Sequence, residues 1–332
     1  MVASAFDFEK PIAELEGIIA ELKRPEKQAE AREKGIDLDA EIARLEQELH
    51  RVMRQVYANL SPWEKALMAR HRDRPYTLDY IRLAFDDFLQ LSGDRLTGND
   101  EAVVGGLARL HGESVVVIGQ QKGRDLKERQ RRNFGSAHAE GFRKALRLAR
   151  LAEKLDKPLV SFVDTAGAAA DLAAEEHGVS RAIACNLAEL ALLRTPIVAI
   201  VIGEGGSGGA LAMAVGDRVL MLEHAIYSVI SPEGCASILW RDKDRAPEAA
   251  QALQITAQAA HRLGVVDEVL DEPLGGAHRD PAAMADTVKR AILQQLGTLG
   301  KLARDELVCR RYERIRRFGV WREALAPEPA SE

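Results

Sequence analysis

The stretch Gly203-Glu204-Gly205-Gly206-Ser207-Gly208-Gly209 is where residue type and spacing speak most directly of chemistry. It follows a Val- and Ile-rich run, Pro196 to Gly203, and precedes Ala210-Leu211-Ala212, so it reads as a strand-to-helix turn. Three chemistries fit it. Gly203, Gly205 and Gly208 match a dinucleotide-binding fingerprint, with Glu223 near the place of a ribose-binding acid. Against that, the helical pattern from Gly209 to Gly216 is short of the ~10–12 residues of a whole crossover, and no further strand–helix units follow Glu223. Gly205-x-Ser207-x-Gly209 also matches a nucleophile elbow, with Asp267 and His278 in hydrolase order. Those two residues lie close together, and too few strands follow the serine for a hydrolase core. In the third chemistry, side-chain-free residues at a helix N-terminus present backbone N–H groups to a developing oxyanion. Gly205, Gly206, Gly208 and Gly209 are then the catalytic residues, and neither nucleophile nor triad is required. Taken alone, the segment also fits a glycine turn that merely permits close packing.

Such a turn needs strands and helices to hold it. Val103 to Leu110, Ser114 to Gln120, Pro158 to Asp164, Pro196 to Gly203 and Arg218 to Glu223 have strand patterns. Helical patterns lie between and after them, at Glu140 to Leu155, Glu175 to Arg194, Pro247 to Leu263 and Pro281 to Gln295. This alternation predicts a parallel α/β core. Ahead of it, residues 1–60 read as a helical hairpin arm. Ile12, Leu15, Ile19 and Leu22 form one apolar stripe behind Pro11; Leu38, Ile42, Leu45, Leu49, Val52 and Val56 form another behind a capping Asp37. Pro25 to Gly35 is expected to be a polar linker. The stripe needs covering, either by the rest of the chain or by a partner subunit. Residues 61–300 would be the core and 301–332 a basic helix and tail, where Arg310, Arg311, Arg314, Arg316 and Arg317 are expected to face solvent or an anion.

Composition narrows the class. The 332 residues are 46% hydrophobic, which excludes wholesale disorder, and the net charge of −5 argues against a dedicated nucleic-acid binder. No apolar run approaches the ~18 residues of a membrane helix, and Met1 to Lys10 lacks the apolar segment of a secretory signal. Cys185, Cys235 and Cys309 are odd in number and have no metal-ligand spacing, so neither a disulfide framework nor a metal site is expected. A cytoplasmic protein follows.

Longer motifs carry a resemblance. Gly203 to Ala210, then Ser228-Val229-Ile230-Ser231-Pro232-Glu233-Gly234-Cys235-Ala236-Ser237-Ile238-Leu239-Trp240, is similar to the carboxyltransferase alpha subunit of bacterial acetyl-CoA carboxylase. Phe8 to Ile12, Arg74 to Tyr80, Gly93-Asp94-Arg95, Gln121 to Arg124, Arg131 to Gly135 and Pro273 to Arg279 extend the likeness nearly end to end. The resemblance implies a crotonase-like superhelix of ββα units. It implies transfer of a carboxyl group from carboxybiotin on a carrier protein to acetyl-CoA, giving malonyl-CoA for fatty-acid synthesis. It further implies a carboxyltransferase beta subunit bearing a zinc ribbon, paired as α2β2, and a wider complex with biotin carboxyl carrier protein and biotin carboxylase. Substrate-binding residues are expected at Gly135, Ser136, Gly167, Ala168, Ser231, Pro232, Glu233 and Gly234, with no metal in this chain.

Three stretches depart from the family pattern. Asp164-Thr165-Ala166-Gly167-Ala168-Ala169-Ala170-Asp171 stands where the family reads D-T-P-G-A-Y-P-G, Phe134 to Ala137 replaces F-G-M-P, and Glu175 to Val179 replaces E-E-R-G-Q. Losing proline widens a loop's accessible conformations, and losing tyrosine removes a large packing surface. These changes admit two further readings: a paralogue with altered acyl-CoA preference or weakened activity, and a non-catalytic assembly subunit.

Overall fold

The computed structural model describes residues 6–319, so the expected tail at 320–332 lies outside the described residues. Helix α1 (Lys10–Leu22) starts with Pro11 in its first turn, where the missing N–H costs nothing. The expected linker is instead helix α2 (Pro25–Glu33). Its Glu, Lys, Gln, Ala and Arg residues favour helix without forming an apolar stripe, so periodicity does not register it. Helix α3 (Leu38–Ala58) is capped by Asp37, whose carboxylate accepts the amides of Asp39 and Ala40. The chain itself covers part of the stripes: Ile12 is buried with Met53, Tyr57 and Met68, and Leu49, Val52 and Val56 pack against them beside Leu274.

Helices α4 (Pro62–Ala69) and α5 (Thr77–Ala84) lead into the sheet. The remaining elements in chain order are β1 (Asp86–Gln90), β2 (Val103–Leu110), β3 (Glu113–Gln120), α6 (Leu126–Arg131), α7 (Ala139–Leu155) and β4 (Leu159–Thr165). Then come α8 (Leu172–Glu176), α9 (Val179–Leu192), β5 (Ile197–Gly206), α10 (Ser207–Ala214), β6 (Arg218–Leu222) and β7 (Ile226–Ser228). The chain closes with α11 (Pro232–Trp240), α12 (Ala246–Leu253), α13 (Ala257–Arg262), β8 (Glu268–Leu270), α14 (Pro281–Leu299) and α15 (Arg304–Arg316). Two expected single helices are broken, at Gly178 (φ 74°) and at Gln254 (φ 52°), because a left-handed residue cannot continue a right-handed helix.

The strands form one sheet in the order β1-β2-β3-β4-β5-β6-β8, with β7 added to β5. β1, β2 and β3 pair antiparallel, whereas β3 through β8 pair parallel, so the expected parallel core carries an antiparallel edge. Val117, Val160 and Val198 lie side by side at its fully buried centre.

Strand β5 changes neighbours part-way. Val198 to Val201 pair with β6, and Glu204 to Gly206 pair with β7. Opposite β4 the register shifts between Val163 and Thr165. Asp164 fills the space this opens: its Oδ1 accepts the Glu204 amide at 2.9 Å and stands where a side chain at Gly203 would be. On the other side, Nε of fully buried Arg74 donates to the Ile202 carbonyl at 2.7 Å. The irregularity therefore leaves these two backbone groups satisfied.

The basic C-terminal helix differs from expectation. Arg311 is buried, donating to Asp217 at 2.8 Å and to the carbonyls of Leu190, Leu193 and Thr195. Arg314 pairs with Asp267. Both tie α15 to the sheet, while Arg310, Arg316 and Arg317 are exposed.

Candidate active site

The glycine segment divides between two elements. Gly205 and Gly206 are the last residues of β5, inside its pairing with β7. Gly208 and Gly209 lie in the first turn of α10, which has no side-chain cap. The opening N–H groups of a helix have no intrahelical acceptor, and here the partial positive charge of the helix end adds to them. Ser207, at the junction, is a non-glycine residue with φ 53°, a strained conformation of order 1–3 kcal/mol. A left-handed residue followed by right-handed ones converges successive N–H groups into an anion-binding hollow.

The loop after β4 lies across this turn. A Cβ on Gly206 would stand 2.1 Å from the Ala166 carbonyl oxygen, and one on Gly209 would stand 2.4 Å from the Ala168 amide nitrogen. Only glycine allows that approach. Gly167 and Ala168 thus meet the turn directly, and the Thr165 hydroxyl holds the loop by bonding both N–H and C=O of Gly167. A depression of about 300 Å³ opens beside Ser207 and Gly208, walled by Leu211, Tyr227, Ser228 and Val229. Burial pushes the Tyr227 phenol up to about 12, so the wall is neutral at working pH. An apolar cavity of about 480 Å³ shares Leu211, Tyr227 and Val265 with it and runs back toward Phe318.

A chain of charges lies under the turn. Arg70 Nε donates to Glu204 Oε1 at 2.7 Å, and Lys122 Nζ lies 2.8 Å from both Glu204 Oε2 and Asp164 Oδ1. Burial alone would discharge Lys122, but the two carboxylates outweigh it and hold its pKa above the ordinary lysine value. Burial likewise opposes the Glu204 carboxylate, and Lys122 and Arg70 overcome it, pulling its pKa below the usual range. The other end of Arg70 takes Glu233 at 2.5 Å. Ser231 caps α11 through the Gly234 amide, and Pro232 opens that helix. The expected Ser231–Gly234 group therefore reaches the glycine turn through Arg70 and Glu204 rather than by lining the depression. Gly135 (φ 82°) packs over Lys122 and the Asp164 carbonyl, with Ser136 just after it.

Sequence spacing missed Arg70, Lys122, Glu204 and Asp164 as a unit, and Tyr227 as a wall. The available signal was that Lys122 and Glu204 both fall within motifs that carry the family resemblance. The serine-hydrolase pattern does not assemble. Asp267 accepts from the Val219 amide and Arg314, while His278 stacks on His71 with centroids 3.9 Å apart. Among the described residues, no cluster of three or more His, Cys, Asp or Glu is placed to hold a metal ion, and no helix is long and apolar enough to cross a membrane.

A mixed sheet whose central strand ends in a glycine turn at an uncapped helix fits the crotonase-like α/β fold expected from the sequence. In a transcarboxylase 12S structure the match is 22% identical at TM-score 0.56, covering 68% of this chain and 42% of that one. A Pseudomonas malonate decarboxylase hetero-tetramer matches at 18% identity and TM-score 0.55, over 67% of this chain and 91% of that one. These likenesses concern the fold. A family model described as acetyl co-enzyme A carboxylase carboxyltransferase-like matches residues 5–319. The acetyl-coenzyme A carboxylase carboxyl transferase subunit alpha of Bordetella pertussis is 53% identical over 320 residues, 96% of this chain and 98% of that protein. Its counterpart from Halorhodospira halophila is 50% identical over 319 residues, 96% and 99% of the two chains. The chain belongs to the family of acetyl-coenzyme A carboxylase carboxyltransferase alpha subunits.

Proposed function

We propose that this chain is the alpha half of a biotin-dependent acetyl-CoA carboxyltransferase, working in the cytoplasm with a zinc-bearing beta subunit in an α2β2 assembly. The carboxyl group leaves N1 of carboxybiotin on a carrier protein and ends on the methyl carbon of acetyl-CoA; the proton removed from that carbon returns to biotin. Charge rises on the biotin ureido oxygen as the carboxyl group leaves. The observation that carries the reading is the uncapped first turn of α10 behind a left-handed Ser207. Preorganised N–H donors of this kind are worth ~2.7–4 kcal/mol each in the transition state of other enzymes. Gly208 and Gly209 are the donors at this turn, and Gly205 and Gly206 shape the strand end that aims them. Gly135, Ser136, Gly167 and Ala168 form the facing wall, and Ser231, Pro232, Glu233 and Gly234 brace it through Arg70. The near full-length likeness to alpha subunits favours acetyl-CoA as acceptor over the altered-paralogue and assembly-only readings.

The test is reconstitution with a beta subunit, biotinylated carrier protein and biotin carboxylase, followed by measurement of malonyl-CoA. Formation of malonyl-CoA that requires this chain supports the reading. A complex that assembles and carboxylates only a longer acyl-CoA, or nothing, overturns it.

A further inference from the structure

The wall that rests on the glycine turn has little side chain with which to hold itself. From Ala166 to Ala170 it consists of alanine and glycine, and within that run only Ala169 is buried. Apolar burial therefore contributes little to its position, since an alanine offers one methyl group. Its backbone is joined to the segment before α7 by the Ala169 amide donating to the Ala137 carbonyl at 2.9 Å.

Two histidine–carboxylate pairs hold its C-terminal side. His138 Nε2 meets Asp171 Oδ2 at 2.9 Å, while Asp171 Oδ1 accepts the Ala174 amide and so starts α8. Beyond α8, His177 Nδ1 meets Glu140 Oε1 at 2.7 Å. Each pair joins the segment to the first turn of α7, with donor and acceptor exchanged between the two. The α7 side is rigidly anchored. The His138 amide donates to Asp100 Oδ2 at 2.8 Å, and Glu140 is held by the Thr97 hydroxyl and Arg143. Arg143 also donates to the His177 carbonyl at 3.0 Å. The segment thus has fixed ends and a featureless middle, and the middle is the part that touches Gly206 and Gly209.

We propose that His138–Asp171 and His177–Glu140 are positioning pairs. They hold the Ala166–Ala170 wall against the first turn of α10, and carboxyl transfer depends on them although neither reaches the reacting atoms. The proposal deepens the function given above and rests on it.

The test uses the reconstituted complex and the variants H138A, H138Q and D171A, with two readouts. Hydrogen–deuterium exchange of residues 166–171 is read without turnover, so it stands even if the transfer reading fails. H138A is expected to exchange there severalfold faster, with the thermal midpoint and subunit association unchanged. In the transfer assay, H138A is expected to lose roughly tenfold in kcat/KM for the carboxybiotin-carrying substrate, with KM for acetyl-CoA unmoved. Adding D171A should cause no further loss, because the two residues act as one contact. H138Q, which keeps a donor in reach of Asp171, should recover most of the rate. Unaltered exchange in H138A overturns the proposal, as do kinetics matching the unsubstituted chain, losses that multiply in the double variant, or absence of recovery in H138Q.

Discussion

The glycine turn is held from below and from above by opposite means. Below it, Arg70, Glu204, Lys122 and Asp164 form a buried chain of alternating charge, and Arg74 with Glu272 anchors the irregular part of β5 from the side. Above it, an alanine-rich wall is fastened on its C-terminal side by histidine pairs that water reaches. A buried charge that loses its partner is left unsolvated, so the lower support resists rearrangement. A contact open to water is replaced by solvent at small cost, so the upper support can yield. Under the proposed function, the difference assigns rigidity to the side that supplies the N–H groups and adjustability to the side that admits the ligand.

The largest expected effect breaks the lower support. Lys122→Met leaves Asp164 and Glu204 buried with their shared cation gone, and should cost ~3–5 kcal/mol in chemical unfolding. A loss below about 1 kcal/mol, the size of an exposed pair, would erase the contrast between the two sides. Next in size is an acid limb. Burial alone would raise the Glu272 carboxyl, but Arg74 outweighs it and holds it down at about 2, below its ordinary 4.5. A folded pKa below the unfolded one contributes stability above pH ~4.5, and that contribution fades as pH falls from there toward 2. Thermal midpoints measured across this window should drop steeply in the unsubstituted chain and less steeply in Glu272→Gln.

Gly206→Ala sharpens the comparison from the other direction. Its Cβ must displace the Ala166 carbonyl, moving the wall while leaving the charge chain in place. Transfer should fall ~100-fold, as for an ~1 Å misplacement in an active site, with subunit association retained. Wild-type turnover in this variant would show that wall and turn need not touch. The smallest effect is expected far from the site, in the arm. Lys23 and Glu46 pair at 2.6 Å with about half of each side chain exposed, so Glu46→Gln should change the thermal unfolding free energy by less than ~0.5 kcal/mol.

Sequence reading caught what is local. Val103 to Leu110 is a strand with both ends as expected, because a long buried run carries its own signal. The glycine turn was equally legible, since its residue types are unusual and contiguous. Strands β7 and β8 escaped because three residues are too few for a pattern, and β1 because its exposed Asp-Asp-Phe-Leu-Gln has no apolar alternation. The helix breaks at Gly178 and Gln254 escaped because the apolar pattern continues through both. The charge chain escaped for a different reason. Arg70, Lys122, Asp164 and Glu204 are far apart in sequence, and only the folding of α4, β4 and β5 around a register shift brings them together. Arg311 reads like its exposed neighbours because charge density says nothing of which arginine finds a buried aspartate.

The change of partner along β5 separates two mechanical tasks. Its first half is zipped to β6 at the heart of the sheet, and its last three residues are zipped to a three-residue ribbon at the periphery. A displacement of β7 therefore reaches the glycine end of β5 before it reaches the hydrophobic centre. The tip of the strand and its spine thus answer to different neighbours.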